Sequence, residues 1–129
     1  EQLGNGEVKD YRVIVEGKPA QLHPIIRDEA YRIGREALVN AFHHSRADKI
    51  EVELEYSTKN LRLVVRDDGT GIDDQVLQSG REGHWGLAGM RERAEGIGAR
   101  LRVWSRQNAG TEVELVIPGH IAFAPKKET

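Results

Sequence analysis

Five stretches of the chain alternate between apolar and polar residues, which is the pattern of β-strands with one buried face. In the clearest of them, Ile50, Val52 and Leu54 alternate with glutamates at positions 51, 53 and 55. This alternation places the apolar side chains on one face of the strand and the carboxylates on the other. Strands are predicted at residues 11–16, 50–56, 61–66, 100–106 and 111–117.

Charged residues on the outer faces of these strands indicate which strands are neighbours. The outward glutamates of the second strand match the outward arginines of the third, which favours an antiparallel pair. By the same reasoning, Arg100 and Arg102 are expected to pair with Glu112 and Glu114 on the last strand. Trp104 is expected to pack on the sheet.

Apolar residues that recur every three or four positions predict two helices. The first runs from Pro24, a residue suited to a first helical turn, to about residue 44, and the second runs from Leu87 to about residue 95. Five strands, two main helices and hairpins at both ends predict a two-layer α/β sandwich with a mixed, mostly antiparallel sheet. The buried face of the first helix is expected to consist of Ile26, Ala30, Ile33, Ala37 and Ala41.

Length and composition limit the classes of protein that need to be considered. The 129 residues suffice for one domain, with a core over about residues 11–118 and a flexible tail at 119–129. A formal net charge of −2 gives no bulk attraction to nucleic acid or to an anionic membrane, so neither is expected as a partner. The absence of cysteine excludes disulfides and thiol catalysis and fits the cytoplasm. The polar start resembles a cut through a longer protein more than a signal peptide.

Three polar residues form a ridge along the edge of the first predicted helix. Glu36, Asn40 and His44 are spaced by four, so they lie on one side of the helix, beside its apolar face. An amide oxygen suits Mg²⁺, which keeps several waters and uses substrate phosphates as further ligands, and a nearby carboxylate can polarise an attacking group. The alternative for Glu36 is an ordinary solvated helix edge. His43 and His44 point about 100° apart and cannot form an i, i+4 zinc pair.

The segment Asp67-Asp68-Gly69-Thr70-Gly71 follows the third predicted strand directly. Its glycines let a planar base approach the backbone closely, and Asp67, as the last strand residue, is placed to accept a hydrogen bond from the exocyclic amine of adenine. Guanine has an oxygen in that place, which the carboxylate repels, so this geometry selects adenine. The alternative is a hairpin-like turn, since Asp-Gly is common in turns. A calcium loop is excluded because its third and fifth ligand positions would be glycines.

Two further signatures complete the set. Gly83, Gly86 and Gly89 have a G-x-x-G-x-x-G spacing at the start of the second helix, and such a segment offers backbone N–H groups and a positive helix end to phosphate oxygens. The alternative is a merely flexible loop. Gly110 and Thr111 open the last strand, where Thr111 either supplies a hydroxyl to a site or is an ordinary strand residue. Neither the dinucleotide-binding fingerprint nor a Walker motif occurs, yet the four signatures in this order predict an ATP site.

The four signatures together resemble the conserved boxes of the GHKL ATPase superfamily. Within it, the chain is most similar to the catalytic ATP-binding domain of bacterial two-component sensor histidine kinases, and residues 86–94 are typical of the branch with short ATP lids. The similarity covers nearly the whole chain. The N box corresponds to residues 35–45, and the three glycine boxes correspond to residues 67–71, 83–90 and 110–113.

The resemblance implies a role for each signature. Asn40 would bind Mg²⁺ and Glu36 would orient the transfer chemistry. Asp67 would read the adenine amine, with Thr111 supporting it through a shared water. Two features depart from the family, since His43 stands where lysine or arginine is more common and the second glycine box is one residue longer than G-x-G-L. Further nucleotide-binding residues, in the base pocket, near the phosphates and in the lid, would be His43, His44, Gly69, Gly71, Ile72, Gly83, Gly86 and Leu87.

The resemblance also implies partners outside this chain. Kinases of this family carry the phosphoacceptor histidine on a preceding helical dimerisation domain, and none of the five histidines here lies in such a context. The chain is therefore expected to bind ATP and to phosphorylate a histidine on a separate domain. The phosphate would then pass from that histidine to an aspartate on a response regulator. It would be the cytoplasmic domain of a parent protein that is either membrane-anchored or soluble. Two alternatives stay open: a serine kinase of the anti-sigma-factor type, and a non-catalytic ATP-sensing or protein-docking module.

Overall fold

A computed structural model of the chain describes residues 8–43, 45–72 and 86–125, and within them five strands and three helices form. The predicted strands and both predicted main helices are confirmed. The strands are β1 (Asp10–Glu16), β2 (Lys49–Tyr56), β3 (Asn60–Asp67), β4 (Arg100–Arg106) and β5 (Gly110–Pro118). The helices are α1 (Pro24–His43), α2 (Leu87–Gly96) and the short α3 (Gly119–Ala122).

The strands form one mixed sheet in the order β1-β2-β3-β5-β4. β1 and β2 run parallel, which requires the crossover that α1 provides between them. The other neighbouring pairs are antiparallel, so the predicted mixed, mostly antiparallel sheet is confirmed. This order places the end of β3, at Asp67, directly opposite the start of β5, at Thr111.

Both main helices lie on one face of the sheet, α1 over β3 and β5 and α2 over β4. The predicted apolar face of α1 is confirmed, since all five of its residues are buried. Leu87, Met90 and Ala94 of α2 enter the same core. The core therefore fills the space between the helices and the sheet, and it fixes the polar ridge of α1 relative to β3 and β5.

The outer face of the sheet carries charged side chains that pair across strands. On β3, Arg66 Nη1 lies 2.9 Å from Glu51 Oε1 and 2.8 Å from Glu53 Oε1. Its Nε donates to Glu112 Oε1 at 2.7 Å. Partly exposed pairs contribute little singly and more as a network. The predicted match between the glutamates of β2 and the arginines of β3 is confirmed.

The predicted partners of two glutamates on β5 are wrong. Glu112 and Glu114 pair with arginines of β3 instead of with Arg100 and Arg102 of β4. The reason is the strand order, because each β3 arginine lies between two strands that carry glutamates, whereas β4 is an edge strand whose arginines stay in water. Trp104 on the same edge strand is 47% exposed, rather than packed on the sheet as predicted.

The chain remains packed beyond β5, whereas a flexible tail is predicted from residue 119. Ala122 of α3 is fully buried, and Phe123 forms a β-bridge with Leu22. The ring centroids of Phe123 and Tyr56 are 6.4 Å apart. Three consecutive apolar residues, 121–123, give this segment enough apolar surface to bury. Residues 126–129 lie outside the described residues.

Candidate nucleotide-binding site

α1 carries Glu36 and Asn40 one helical turn apart, at the edge of its buried face. Both residues are partly buried, because the neighbouring Ala37 and Ala41 hold that side of the helix in the core. An ordinary solvated helix edge would leave both exposed. The predicted pair therefore lies at the boundary between the helix layer and the sheet.

One cavity between the two layers, which we name the Asp67 cavity, is lined by five of the predicted site residues: Asn40, Asp67, Ile72, Leu87 and Thr111. They come from α1, β3, the loop after β3, α2 and β5. The remaining walls are apolar. In this conformation the cavity measures about 10 Å³, which is room for about one water molecule. The cavity is therefore smaller than a purine base in this conformation.

Hydrogen bonds hold the side chain of Asp67 and leave part of its carboxylate available. Its Oδ1 accepts the backbone N–H of Gly69 at 2.9 Å, and the backbone N–H of Thr111 also donates to this side chain. An ionised carboxylate offers about four lone pairs. Acceptor positions therefore remain for a donor on a ligand.

The pKa of Asp67 is raised above the ordinary value for an aspartate. Burial is the largest cause, and the nearby charge of Asp68 acts in the same direction. The hydrogen bonds from Gly69 and Thr111 oppose the shift because they stabilise the ionised form. Desolvation outweighs them, so the carboxylate takes up a proton more readily in the folded chain than in the unfolded one.

Acidification is therefore expected to favour the folded state through Asp67. Between the ordinary pKa of 3.8 and the raised value, the folded chain binds more protons than the unfolded chain, so the free energy of unfolding falls as the pH rises through that window. Asp67→Asn removes this contribution, and the variant should gain stability relative to wild type as the pH rises. Urea unfolding of both proteins between about pH 3 and pH 6 measures the difference. A variant that loses stability relative to wild type over the same rise would contradict the shift.

Ser45 follows α1, and its hydrogen bonds connect the end of this helix to Asp67 and the loop after β3. It is 2% exposed, and its Oγ lies 2.5 Å from the carbonyl oxygen of Ala41 and accepts the N–H of Ala47 at 3.2 Å. The same hydroxyl reaches Asp67; it has one hydrogen, so it donates to Ala41 or to Asp67 at any one time. The carbonyl of Ser45 accepts the N–H of Thr70 at 2.7 Å. Ser45 is therefore a positioning residue for Asp67.

Ser105 of β4 supports the other end of the same loop. Its Oγ accepts the N–H of Ile72 at 2.6 Å and lies 2.9 Å from Thr111 Oγ1. It also donates to the carbonyl of Gly110 at 3.2 Å. This hydroxyl joins the loop after β3 to both strands of the β4–β5 hairpin.

Neither serine stands out in the sequence, because a polar residue after a helix and a polar residue in a strand are both ordinary. One signal is available for Ser105. It follows Leu101 and Val103 on the inward face of β4, where a polar side chain is costly without a partner. Ser45 carries no comparable signal of its own.

Replacing Ser105 with alanine is expected to lower the free energy of unfolding by about 1–3 kcal/mol, because the Ile72 N–H loses its acceptor in a partly buried place. Ser57→Ala is the matched control. Ser57 Oγ also bonds backbone groups, but in an exposed turn where water can replace them. Urea unfolding of the two variants measures the contrast, and equal losses in both would argue against this role of Ser105.

Several glycines around the site lie so close to neighbouring atoms that a side chain would collide, and Gly71 and Gly86 are two of them. Gly71 has φ 77°, and a Cβ there would lie 2.2 Å from the carbonyl oxygen of Arg106. Gly86 is the N-cap of α2 with φ 64°, and a Cβ there would lie 2.4 Å from Glu36 Oε1. A larger residue is strained at either position. The second distance also places the amino-terminal end of α2, the positive end of its dipole, beside the carboxylate of Glu36.

The other predicted site residues are less informative. His43 is exposed as the last residue of α1, and Gly69 is buried in the loop after β3. His44 and Gly83 lie outside the described residues. Of the three glycines in the predicted phosphate-covering segment, Gly86 and Gly89 lie within the described residues, at the start of α2.

The donor set near Asn40 fits a magnesium ion that the protein holds from one side. An amide oxygen is a ligand that Mg²⁺ accepts, and this ion takes its other ligands readily from phosphate oxygens and water. Within the described residues, one group of three carboxylates has the spacing of a metal site, and it lies on the outer face of the sheet, at Glu16, Glu53 and Glu55. Among the described residues that line the cavity, Asn40 offers an amide oxygen and Asp67 a carboxylate.

Comparison with known proteins gives the chain a family. The sequence profile of the histidine kinase-, DNA gyrase B-, and HSP90-like ATPases matches residues 26–121. The sensor protein VraS of Staphylococcus saprophyticus is 40% identical over 95 residues, which are 72% of this chain and 26% of VraS. The sensor histidine kinase LiaS of Bacillus subtilis is 42% identical over 94 residues, which are 72% of this chain and 25% of LiaS. The chain thus spans about a quarter of the length of these relatives.

Solved structures share the fold. The histidine kinase domain of a blue-light activated histidine kinase from Erythrobacter litoralis has a TM-score of 0.68 at 26% identity, over 85% of this chain and 55% of that one. The catalytic domain of the histidine kinase ThkA has a TM-score of 0.65 at 16% identity, over 87% of this chain and 80% of that one, a likeness of fold alone. The profile match extends from α1 to α3 and includes the Asp67 cavity, so the resemblance predicted from the four signatures is confirmed. The chain belongs to the histidine kinase-, DNA gyrase B-, and HSP90-like ATPase family.

Proposed function

We propose that this chain binds Mg·ATP at the Asp67 cavity and that, within a longer sensor histidine kinase, it transfers the γ-phosphoryl group to a histidine on a separate dimerisation domain. The observation that carries the proposal is the shared cavity. Asn40, Asp67, Leu87 and Thr111 come from four separate elements and line it together. Family membership supports ATP as the nucleotide.

The adenine end of the nucleotide is assigned to Asp67. Its carboxylate retains acceptor positions after accepting the N–H groups of Gly69 and Thr111. The exocyclic amine of adenine donates to one of them, whereas the oxygen of guanine in that place would face a second acceptor. The hydroxyl of Thr111, fixed 2.9 Å from Ser105 Oγ, supports a water shared between the carboxylate and the base.

The phosphate end is assigned to Glu36, Asn40 and the start of α2. The amino-terminal end of α2 directs backbone N–H groups and positive charge toward phosphate oxygens, and Asn40 holds Mg²⁺ with its amide oxygen. A bound Mg²⁺ neutralises charge on the phosphates during transfer.

The carboxylate of Glu36, beside Gly86 at this helix end, accepts a hydrogen bond from one ring N–H of the attacking histidine. The other ring nitrogen is then unprotonated and can attack. It forms a bond to the γ-phosphorus while the phosphorus–oxygen bond to ADP breaks. Glu36 therefore selects the reactive form of the histidine and orients it.

The names of the relatives support a role in sensory signalling. VraS is a sensor protein and LiaS a sensor histidine kinase. By analogy, the chain acts with a histidine-bearing dimerisation domain of its parent protein and, through it, with a response regulator. It works on the cytoplasmic side, where ATP is available. None of the described helices is long and apolar enough to cross a membrane.

Phosphoryl transfer is tested by joining the chain to a histidine-bearing dimerisation domain of a sensor histidine kinase and incubating the fusion protein with radiolabelled Mg·ATP. The expected product is a phosphohistidine, which is labile in acid and stable in base. An acid-stable label on serine would favour the anti-sigma-factor type of kinase. A fusion protein that binds ATP and acquires no label would favour a non-catalytic ATP-sensing module.

A further inference from the structure

A groove of about 390 Å³ runs between α1 and the strands β1 and β2, on the helix side of the sheet. We name it the β1–α1 groove. Arg27, Tyr31 and Arg35 form its exposed rim on α1. It shares only Val65 with the walls of the Asp67 cavity, so it is separate from the nucleotide site. Its inner surface is apolar and includes Val13, Leu38, Val52, Leu54 and Leu63.

Large apolar side chains around this groove are unusually exposed. Tyr11 is 48%, Val13 is 56% and Tyr31 is 69% exposed, and Val15 continues the same row on β1 at 54%. The ring centroid of Phe42 lies 5.7 Å from that of Tyr11, which lines the groove. Contiguous exposed apolar surface of this kind marks a binding surface, whereas scattered apolar residues do not.

The uncovered part of the sheet is one helix wide. Among the described helices, α1 packs mainly on β3 and α2 on β4, which leaves β1 and β2 without a helix over them. Two neighbouring strands span about 10 Å, and a helix with its side chains has about the same diameter. The seven residues of β1 extend over about 20 Å, the length of about 13 helical residues. A helix of this length completes the helix layer.

The positive charge at the rim favours an occupant that carries negative charge. Arg27 forms an exposed ion pair with its neighbour Asp28 at 3.3 Å. Arg35 has no ion pair with another residue in the part of the chain that the structure describes. Carboxylates beside the apolar face of an occupant would pair with both arginines. A second copy docked through the same surface would instead bring these arginines together. The rim therefore favours an acidic partner over self-association.

We propose that the β1–α1 groove docks an amphipathic helix of a partner protein, whose apolar face carries acidic residues along its border. In this helix-in-groove mode, side chains spaced at i, i+3, i+4 and i+7 enter the groove. Val13 and Tyr31 are buried against the occupant, and Arg27 and Arg35 pair with its carboxylates. The proposal goes beyond the nucleotide site and does not depend on it.

Anisotropy of a fluorescein-labelled peptide tests this surface. The probe is an amphipathic helix of about 16 residues, slightly longer than the groove, with leucines on one face and glutamates beside them. A second peptide carries lysines in place of the glutamates. The folded chain is expected to bind the glutamate peptide saturably and the lysine peptide about tenfold more weakly. The double substitution Arg27→Glu with Arg35→Glu should reverse this preference.

Two single substitutions on α1 form a matched pair. Tyr31→Asp should weaken binding of the glutamate peptide by about tenfold or more, as expected for a buried aromatic anchor. Ile25→Asp should leave it unchanged, because Ile25 is 73% exposed and does not line the groove. Equal weakening by both variants would overturn the assignment to the groove.

Other outcomes also decide the question. Failure of both peptides to bind, or equal binding of both, overturns the proposal. So does a dimer in sedimentation that Tyr31→Asp dissociates, because a second copy would then be the occupant. Calorimetry with Mg·ATP on the same samples separates the two proposals: a chain that binds the peptide but not ATP contradicts the proposed function alone, and the reverse contradicts the groove proposal alone.

Discussion

Replacing Asp67 with alanine is expected to weaken ATP binding by about 1.5–3 kcal/mol, the range for hydrogen bonds to charged groups. This loss corresponds to a dissociation constant about 10- to 150-fold higher. The reason is that in the proposed site the carboxylate, held by the N–H groups of Gly69 and Thr111, would supply the acceptor for the adenine amine. Calorimetric titration with Mg·ATP measures the change, and circular dichroism checks that the fold is retained.

Asp68→Ala is the matched control for this prediction. Asp68 is the exposed neighbour of Asp67, and its Oδ1 accepts the N–H groups of Asp48 and Lys49, both at 2.9 Å. Its removal loosens the start of β2 and should change ATP affinity by no more than about twofold. Unchanged affinity in Asp67→Ala, or equal losses in both variants, would refute the assignment of the adenine end.

Replacing Asn40 with alanine is expected to remove most of the magnesium dependence of ATP binding. The affinity gained from Mg²⁺ should fall by about 10- to 100-fold, the loss typical of damage to a metal site, while binding without metal changes little. Asn40 lines the cavity; in the proposed site its amide oxygen would bind the ion, and the other ligands would come from phosphate and water. Wild type and variant are each titrated with ATP in the presence and absence of Mg²⁺. The ratio of the two affinities measures the gain from Mg²⁺ in each protein.

A second asparagine provides the comparison. Asn60 begins β3, at the opposite end of that strand from Asp67, so Asn60→Ala should keep the full magnesium dependence. The metal assignment is wrong if Asn40→Ala and wild type gain equally from Mg²⁺. A general loss of affinity in the absence of metal would instead indicate a packing role for Asn40.

Most of the fold is predictable from the sequence because its signals are local. The apolar residues of α1 recur with the period of a helix, and they are the ones that the structure buries. The ion-pair partners of Glu112 and Glu114 are different, since they depend on β5 lying between β3 and β4. Arginines on both neighbouring strands match those glutamates equally well in local sequence. Only the strand order decides between them.

The packed segment after β5 illustrates the same limit. Its apolar residues are visible in the sequence, but their partners are distant, since Phe123 meets Leu22 and Tyr56. A pattern of three apolar residues before a polar terminus is too short to predict such contacts. The core therefore extends past the last strand, where the local pattern predicts a flexible tail.

The residues that line the candidate site can be predicted from the sequence, whereas the residues that hold them in position are harder to predict. Asn40, Asp67 and Thr111 can be recognised because each belongs to a signature with a defined spacing. Ser45 and Ser105 are single small residues, and their roles arise from hydrogen bonds to the loop after β3. The small size of the cavity, about 10 Å³, likewise depends on how two layers pack, and no local pattern encodes it.

The most direct measurement is a pair of calorimetric titrations of the folded chain, one with Mg·ATP and one with Mg·GTP. We expect saturable binding of ATP and much weaker binding of GTP, because in the proposed site Asp67 would accept a hydrogen bond from the amine of adenine and would repel the oxygen of guanine. A folded sample that does not bind ATP at millimolar concentration, or that binds both nucleotides equally, would contradict the proposed nucleotide site.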